Sequence, residues 1–206
     1  DTLLTAPINK DTIQSEEFNF PGHTEYLEQK FGVQDSLMFF VSDSLKIALV
    51  TNHLPVSKIA QNITQEKIVR KLQLLNDSLK KDFMIVKPRI AVLALNPHAG
   101  DNGLLGDEEQ NIILPAMKTA QQEHKIFCAG PFPADGFFGS TAMKSYDAVL
   151  AMYHDQALAP FKALLMDYGV NFTAGLPIVR TSPTHGTAYD KVGRNTANEN
   201  SFRQAL

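Results

Sequence analysis

Residues 147–162 read DAVLAMYHDQALAPFK. The apolar run 148–152 has the length and content of a buried strand, and it passes straight into Tyr153-His154-Asp155-Gln156. Core packing supplies no reason for a His-Asp pair at that point. Two other apolar runs end in the same way. Residues 45–50 lead into Thr51-Asn52-His53-Leu54-Pro55, and residues 90–95 lead into Asn96-Pro97-His98-Ala99-Gly100. Three histidines therefore follow the carboxyl ends of three strand-like runs. In α/β sheets that edge binds ligands, because the strands stop there and the loops are free to carry chemistry. Three neutral imidazoles meeting at one point would make an open site for a divalent metal.

Composition sets the class. The chain has 206 residues, 44% of them hydrophobic and 20% charged, enough for a substantial core. A net charge of -3 and a pI near 6.1 argue against a broad nucleic-acid surface. With Cys128 as the single cysteine, no intrachain disulfide can form, which fits a reducing compartment. No apolar run is long enough to span a membrane, and no signal-peptide pattern opens the chain. The chain reads as cytoplasmic. Its first residues, without methionine, and its last ones, at the start of a helix, read as the ends of a piece of a longer protein.

Working outward, residues 2–5 read as a strand entering a loop through Lys10, followed by a polar, helix-like segment up to Phe20. Pro21-Gly22 marks a turn, Thr24 is placed to cap a helix over 25–31, and Gly32 ends it. Runs 36–41 and 45–50, separated by Ser42-Asp43-Ser44, predict a hairpin. Ile68, Leu72, Leu75 and Leu79 recur at helical spacing and predict an amphipathic helix from Thr64 to about Lys81. Asp107, Glu108 and Glu109 suit a helix N-terminus, and Pro115 predicts a kink or a restart. Residues 126–129 and 170–174 read as further strands. Strands alternate with helices, so the fold class is α/β with a mixed sheet and flanking helices.

Other residues suggest binding. His23, Thr24, Lys162, Asn171 and Arg180 are donors expected in or beside loops, and together they suit a phosphate or carboxylate. Asp155 is placed to orient a ligand imidazole. The Gly100, Gly103 and Gly106 loop is not a dinucleotide fingerprint, since three acidic residues after it would repel a pyrophosphate. It reads as a tight loop beside His98. His185-Gly186-Thr187-Ala188 offers backbone that a ligand can approach closely.

The motifs Gly22-His23-Thr24-Glu25, Thr51-Asn52-His53-Leu54-Pro55, Asn96-Pro97-His98-Ala99-Gly100, Pro133-Ala134-Asp135, Tyr153-His154-Asp155-Gln156 and Arg180-Thr181-Ser182 resemble the 4-hydroxythreonine-4-phosphate dehydrogenase family of pyridoxal phosphate biosynthesis. The resemblance implies a fold like that of isocitrate and isopropylmalate dehydrogenases, present here as an incomplete two-domain architecture. Residues 13–150 would form a central α/β domain with the dimer interface and most metal ligands. Residues 1–12 and 151–206 would be remnants of the cofactor-side domain, the rest of which, with an N-terminal α/β portion, is absent.

The resemblance also implies roles. His53, His98 and His154 would bind a divalent metal (Zn, or Mg, Mn or Co) at a homodimer interface, one ligand coming from the partner. His23, Thr24, Lys162, Asn171 and Arg180 would hold a phosphorylated substrate. Asp135, Asp155 and Lys162 would serve catalysis. His185, Gly186 and Asn198 would lie on the NAD or NADP side. The implied reaction oxidises 4-phosphooxy-L-threonine to a β-keto acid that decarboxylates to 3-amino-2-oxopropyl phosphate. Related substrates (D-threonate or D-erythronate 4-phosphate, or an aromatic dihydrodiol) stay open. So do a three-histidine metal hydrolase and an inactive metal-binding fragment. Neither nucleic acid nor membrane is an expected partner.

Overall fold

The hairpin centred on residues 42–44 starts the sheet. In the computed structural model, which describes residues 1–9, 12–15, 18–20, 22–166 and 168–206, Ser42 closes this turn by donating to and accepting from Leu45. It joins β2 (Leu37–Val41) to the antiparallel β3 (Lys46–Leu49). Ahead of them come β1 (Thr2–Leu4) and α1 (His23–Phe31). Then follow α2 (Gln65–Lys81), β4 (Ile90–Leu93), α3 (Leu114–His124), β5 (Cys128–Phe132) and α4 (Ala134–Phe138). The chain continues with β6 (Ala148–Ala151), α5 (His154–Leu165), β7 (Val170–Ala174), β8 (Val179–Pro183) and α6 (Asn200–Ala205).

Among the described residues, eight strands form one mixed sheet in the order β1-β8-β7-β2-β3-β6-β4-β5. The run β3-β6-β4-β5 is parallel throughout. The pairs β8/β7, β7/β2 and β2/β3 are antiparallel, and β1 joins β8 in parallel. Strand pairing thus links the two sides of residue 150: β1 meets β8, and β2 meets β7.

Alternate residues of each strand face opposite sides, and both sides are covered. On one, Phe39, Ala48, Val92 and Leu150 pack under α2 and α3. The predicted stripe of α2 is buried in full: Ile68, Leu72, Leu75 and Leu79 are all completely inaccessible. Thr64, read as the first residue of this helix, instead caps it by accepting from the Lys67 N–H. On the other side, Phe40, Ile47, Leu49, Leu93 and Val149 pack under α4 and α5 through Phe137, Leu158 and Phe161. No helix among the described residues is long and apolar enough to cross a membrane.

Several local expectations need correcting. α1 starts at His23, so Thr24 lies inside its first turn and makes no cap; Gly22 takes the cap position, while Gly32 ends the helix in the left-handed conformation. Between Lys10 and Phe20 the described residues form turns and irregular backbone rather than helix, and Phe18 and Phe20 pin this segment to Tyr26 of α1. Lys10 and Pro21 lie outside the described residues. β5 runs on through the cis Gly130-Pro131 bond to Phe132 instead of stopping at residue 129. Residues Glu109–Ile113 form a π-turn ahead of Pro115, which then stands in the first turn of α3.

Candidate functional site

Parallel strands place their following loops on one edge. β3, β6, β4 and β5 lie side by side, so His53, His154, His98 and Asp135 leave that edge in this order. β3 and β6 are direct neighbours, and the rings of His53 and His154 stand 5.3 Å apart, centroid to centroid. His154 is the first residue of α5 rather than part of a loop, with Tyr153 at the cap position. Its Nδ1 meets Oδ1 of Asp155 at 2.7 Å. That contact leaves Nε2 of His154 as the nitrogen available to a ligand.

His98 follows β4, on the far side of β6 from His53. It lines a cleft of about 240 Å3 with Asn96, Asp135, Tyr153 and Gln156. His53 lines another of about 720 Å3, whose walls include Asn52, Glu66, Arg70 and Lys71. Among the described residues of one chain, no group of three or more His, Cys, Asp or Glu is disposed to hold a metal ion. The structure therefore brings two of the three histidines together and leaves His98 in its own cleft.

The donor set divides. β8 runs opposite to β3, so it begins at the edge where β3, β6 and β4 end, and Arg180 is its second residue. Arg180 sits within a strand, not beside a loop. It is 4% exposed and donates to Thr173 Oγ1 at 2.9 Å and to Thr5 Oγ1 at 2.7 Å, while its Nε is buried without a partner. His23 opens α1 nearby. Burial first, and then the charge of Arg180, hold its imidazole below the usual histidine range. Asn171 is likewise a strand residue, in β7, with a buried Oδ1 lacking a partner. It shares the Arg180 face but lies towards the opposite edge, because β7 runs in the direction of β3. Lys162 is half-buried in α5, roughly 12 Å of helix rise beyond His154.

The tail is tied down around β8. Thr181 donates to the Ala205 carbonyl, and Ser201 donates to Gly169 and accepts from the Thr184 N–H. His185 and Gly186 lie in the exposed loop between, where His185 Nδ1 is 2.9 Å from the Gly186 carbonyl. Asn198 accepts from the Asn200 N–H ahead of α6.

Sequence reasoning passed over two buried residues beside the histidines. Gln156 accepts from the Met152 N–H at 2.8 Å and donates to the Ala94 carbonyl at 2.7 Å, fastening the end of β6 to the end of β4. Glu109 turns inward and accepts from the N–H groups of Leu95 and Asn96, rather than facing solvent at a helix start. The one available signal was a carboxylate eleven residues after His98, and its helical context suggested a dipole role instead.

All 206 residues match the family model of the pyridoxal phosphate biosynthetic protein PdxA. The chain is 61% identical over 207 aligned residues to the 4-hydroxythreonine-4-phosphate dehydrogenase of Bacteroides thetaiotaomicron, covering 100% of this chain and 57% of that relative. A crystal structure of 4-hydroxythreonine-4-phosphate dehydrogenase from Klebsiella pneumoniae superposes with a TM-score of 0.88 at 36% identity, covering 99% of this chain and 61% of that one. Isocitrate dehydrogenase from Methylococcus capsulatus, 9% identical, shares the fold with a TM-score of 0.56, over 97% of this chain and 64% of that one. The chain thus spans about three fifths of the length of the curated relatives it matches. With motifs, fold and family model in agreement, the chain belongs to the PdxA family of pyridoxal phosphate biosynthetic proteins.

Proposed function

We propose that this chain carries the metal and substrate groups of an NAD(P)-dependent 4-hydroxythreonine-4-phosphate dehydrogenase, the name its relatives bear. The observation that carries the reading is the His53/His154 pair on neighbouring parallel strands, with Asp155 on the back of His154. Two facing imidazoles and a carboxylate behind one of them fit a divalent cation such as zinc, magnesium, manganese or cobalt. His98 would supply the third ligand to the site of a second copy, which accounts for its separate cleft and makes the working unit a homodimer. A cation so held supplies Lewis acidity that lowers the pKa of a bound alcohol.

The remaining roles belong to the chain's own side chains. Arg180, with an unused buried N–H, and His23 would take the substrate phosphate at the edge the histidines share. Thr24, Lys162 and Asn171 complete the proposed donor set, and Asp135, beside His98, would maintain the site. Holding the phosphate fixes the reacting carbon and so lowers the entropic part of the barrier. His185, Gly186 and Asn198 would border NAD or NADP, which carries the redox chemistry. In this reading residues 1–12 and 151–206 belong to a cofactor-side domain, and 13–150 to the central one.

The test adds 4-phosphooxy-L-threonine and NAD+ or NADP+ to a protein containing this chain, and follows nicotinamide absorbance against hydrolysis of a test ester. Nicotinamide reduction that disappears with a chelator supports the proposal. Ester hydrolysis without nicotinamide reduction would point to a metal hydrolase instead.

A further inference from the structure

We infer that Glu109 is a positioning residue that holds the His98 loop in shape, an inference that rests on reading His98 as a metal ligand. Glu109 is 2% exposed, yet its partners are neutral N–H groups. Oε1 accepts from Leu95 N at 2.8 Å and from Asn96 N at 2.7 Å, and Oε2 accepts from Asn96 Nδ2 at 3.0 Å. Glu108 Oε2 takes the same amide at 2.7 Å. A buried carboxylate without a cation beside it is costly in a core, so its retention calls for a geometric reason.

The loop it grips supplies that reason. His98, Ala99, Gly100, Asp101, Asn102 and Gly103 all have positive φ, a left-handed turn six residues long. For non-glycine residues this conformation costs about 1–2 kcal/mol each, so it persists only where the surroundings dictate it. Glu109 dictates it from two directions. It clamps the two N–H groups that enter the turn, and it fills the space under it: a Cβ on Gly100 would lie 2.7 Å from Glu109 Oε2 and 2.7 Å from the Gly106 carbonyl. A Cβ on Gly106 would strike the Asn96 amide that Glu108 and Glu109 share. The π-turn Glu109–Ile113 widens the helix just where this side chain must point inward. Release of the clamp lets the turn relax, and His98 loses its fixed direction.

Cobalt(II) affinity, by chelator competition and the visible bands of the bound ion, tests this on the dimeric protein with Glu109→Ala, Glu109→Gln and His98→Ala. Hydrogen exchange at Leu95 and Asn96 is measured alongside. Glu109→Ala is expected to weaken cobalt binding by about 10–100-fold and to speed exchange at both amides while the rest of the chain keeps its protection. Glu109→Gln, whose remaining oxygen still takes both N–H groups, recovers most of the affinity. Should Glu109→Ala not fold, Glu109→Asp, one methylene short of the loop, takes its place with the same expectation. A folded Ala or Asp variant with wild-type affinity and unchanged protection overturns the proposal. The His98→Ala control separates the two claims. If it binds cobalt like wild type, the ligand reading fails and takes the proposal with it; if it loses the ion while the Glu109 variants do not, the proposal alone fails.

Discussion

His53 and His154, 101 positions apart in sequence, face each other with ring centroids 5.3 Å apart because β3 and β6 are adjacent and parallel. Their backbones are held at that spacing by Thr51, whose hydroxyl donates to the Met152 carbonyl at 2.8 Å. Strand pairing thus sets the separation of the pair.

Removing either ring should therefore abolish metal binding without unfolding the sheet. His53→Ala and His154→Ala are expected to lose bound cobalt or zinc in equilibrium dialysis while keeping the wild-type circular dichroism spectrum. Asp155→Asn keeps a hydrogen-bonding group on Nδ1 but removes the negative charge. Its side chain is 82% exposed, so the effect should fall on affinity, about 10-fold, and not on stability. Undiminished affinity in both histidine variants would rule out this metal site.

His23 gives the pH dependence. Its folded-state pKa is lowered, by burial and then by Arg180, so around and below the ordinary histidine value of 6.5 the unfolded chain binds more protons than the folded one. Stability is then fully present above about pH 6.5 and declines as pH falls towards the folded-state value. His23→Asn should flatten that part of a denaturation-midpoint profile. Inorganic phosphate held beside His23 and Arg180 should oppose the shift, so the NMR titration midpoint of His23 is expected to rise when phosphate is added. A midpoint indifferent to phosphate counts against the anion role.

Cys128 behaves as a core residue. It is buried in β5, and burial pushes its thiol up to about 11 from 9.0. The native thiol is expected to resist alkylation at pH 8 and to react only on unfolding, since the thiolate is the nucleophile. With the folded-state value raised, its contribution to stability is complete below pH 9 and lost as pH climbs from there to about 11. Fast modification of the native protein at pH 8 would contradict the burial.

What the sequence disclosed and what it hid follow from range. The α2 stripe and the 42–44 hairpin are local, so spacing and turn residues sufficed. That three strand ends carry histidines was also visible. That β6 inserts between β3 and β4, and so seats His154 beside His53, depends on one pairing about 100 residues apart and another about 60 apart. Residues 170–174 read as a strand, which puts Asn171 in β7, whereas Arg180 read as a donor beside a loop; in β8 it lies on the same face as Asn171, and there it meets Thr173. The glycines marked a tight loop beside His98, but with only two of them in the turn at 98–103 they did not show that all six of its residues are left-handed. Its cause, Glu109, stands in a segment that reads as an ordinary helix start.

Gln156 offers the sharpest separation of structure from chemistry. It joins the Met152 N–H to the Ala94 carbonyl, the last steps before the His154 and His98 segments. Gln156→Leu fills much of the same volume but leaves a buried donor and a buried acceptor unpaired, each worth about 1–3 kcal/mol. The denaturation midpoint should drop accordingly with an unchanged slope, and Gln156→Glu should restore the Met152 bond while losing the one to Ala94. Metal affinity is expected to fall in Gln156→Leu, because the two strand ends are no longer fastened across the β6/β4 seam. Hydrogen exchange at the Met152 amide reads the break directly. If Gln156→Leu retains wild-type protection there, the bridge does not hold these strand ends together, and the registration of His154 against His98 must come from β6/β4 pairing alone.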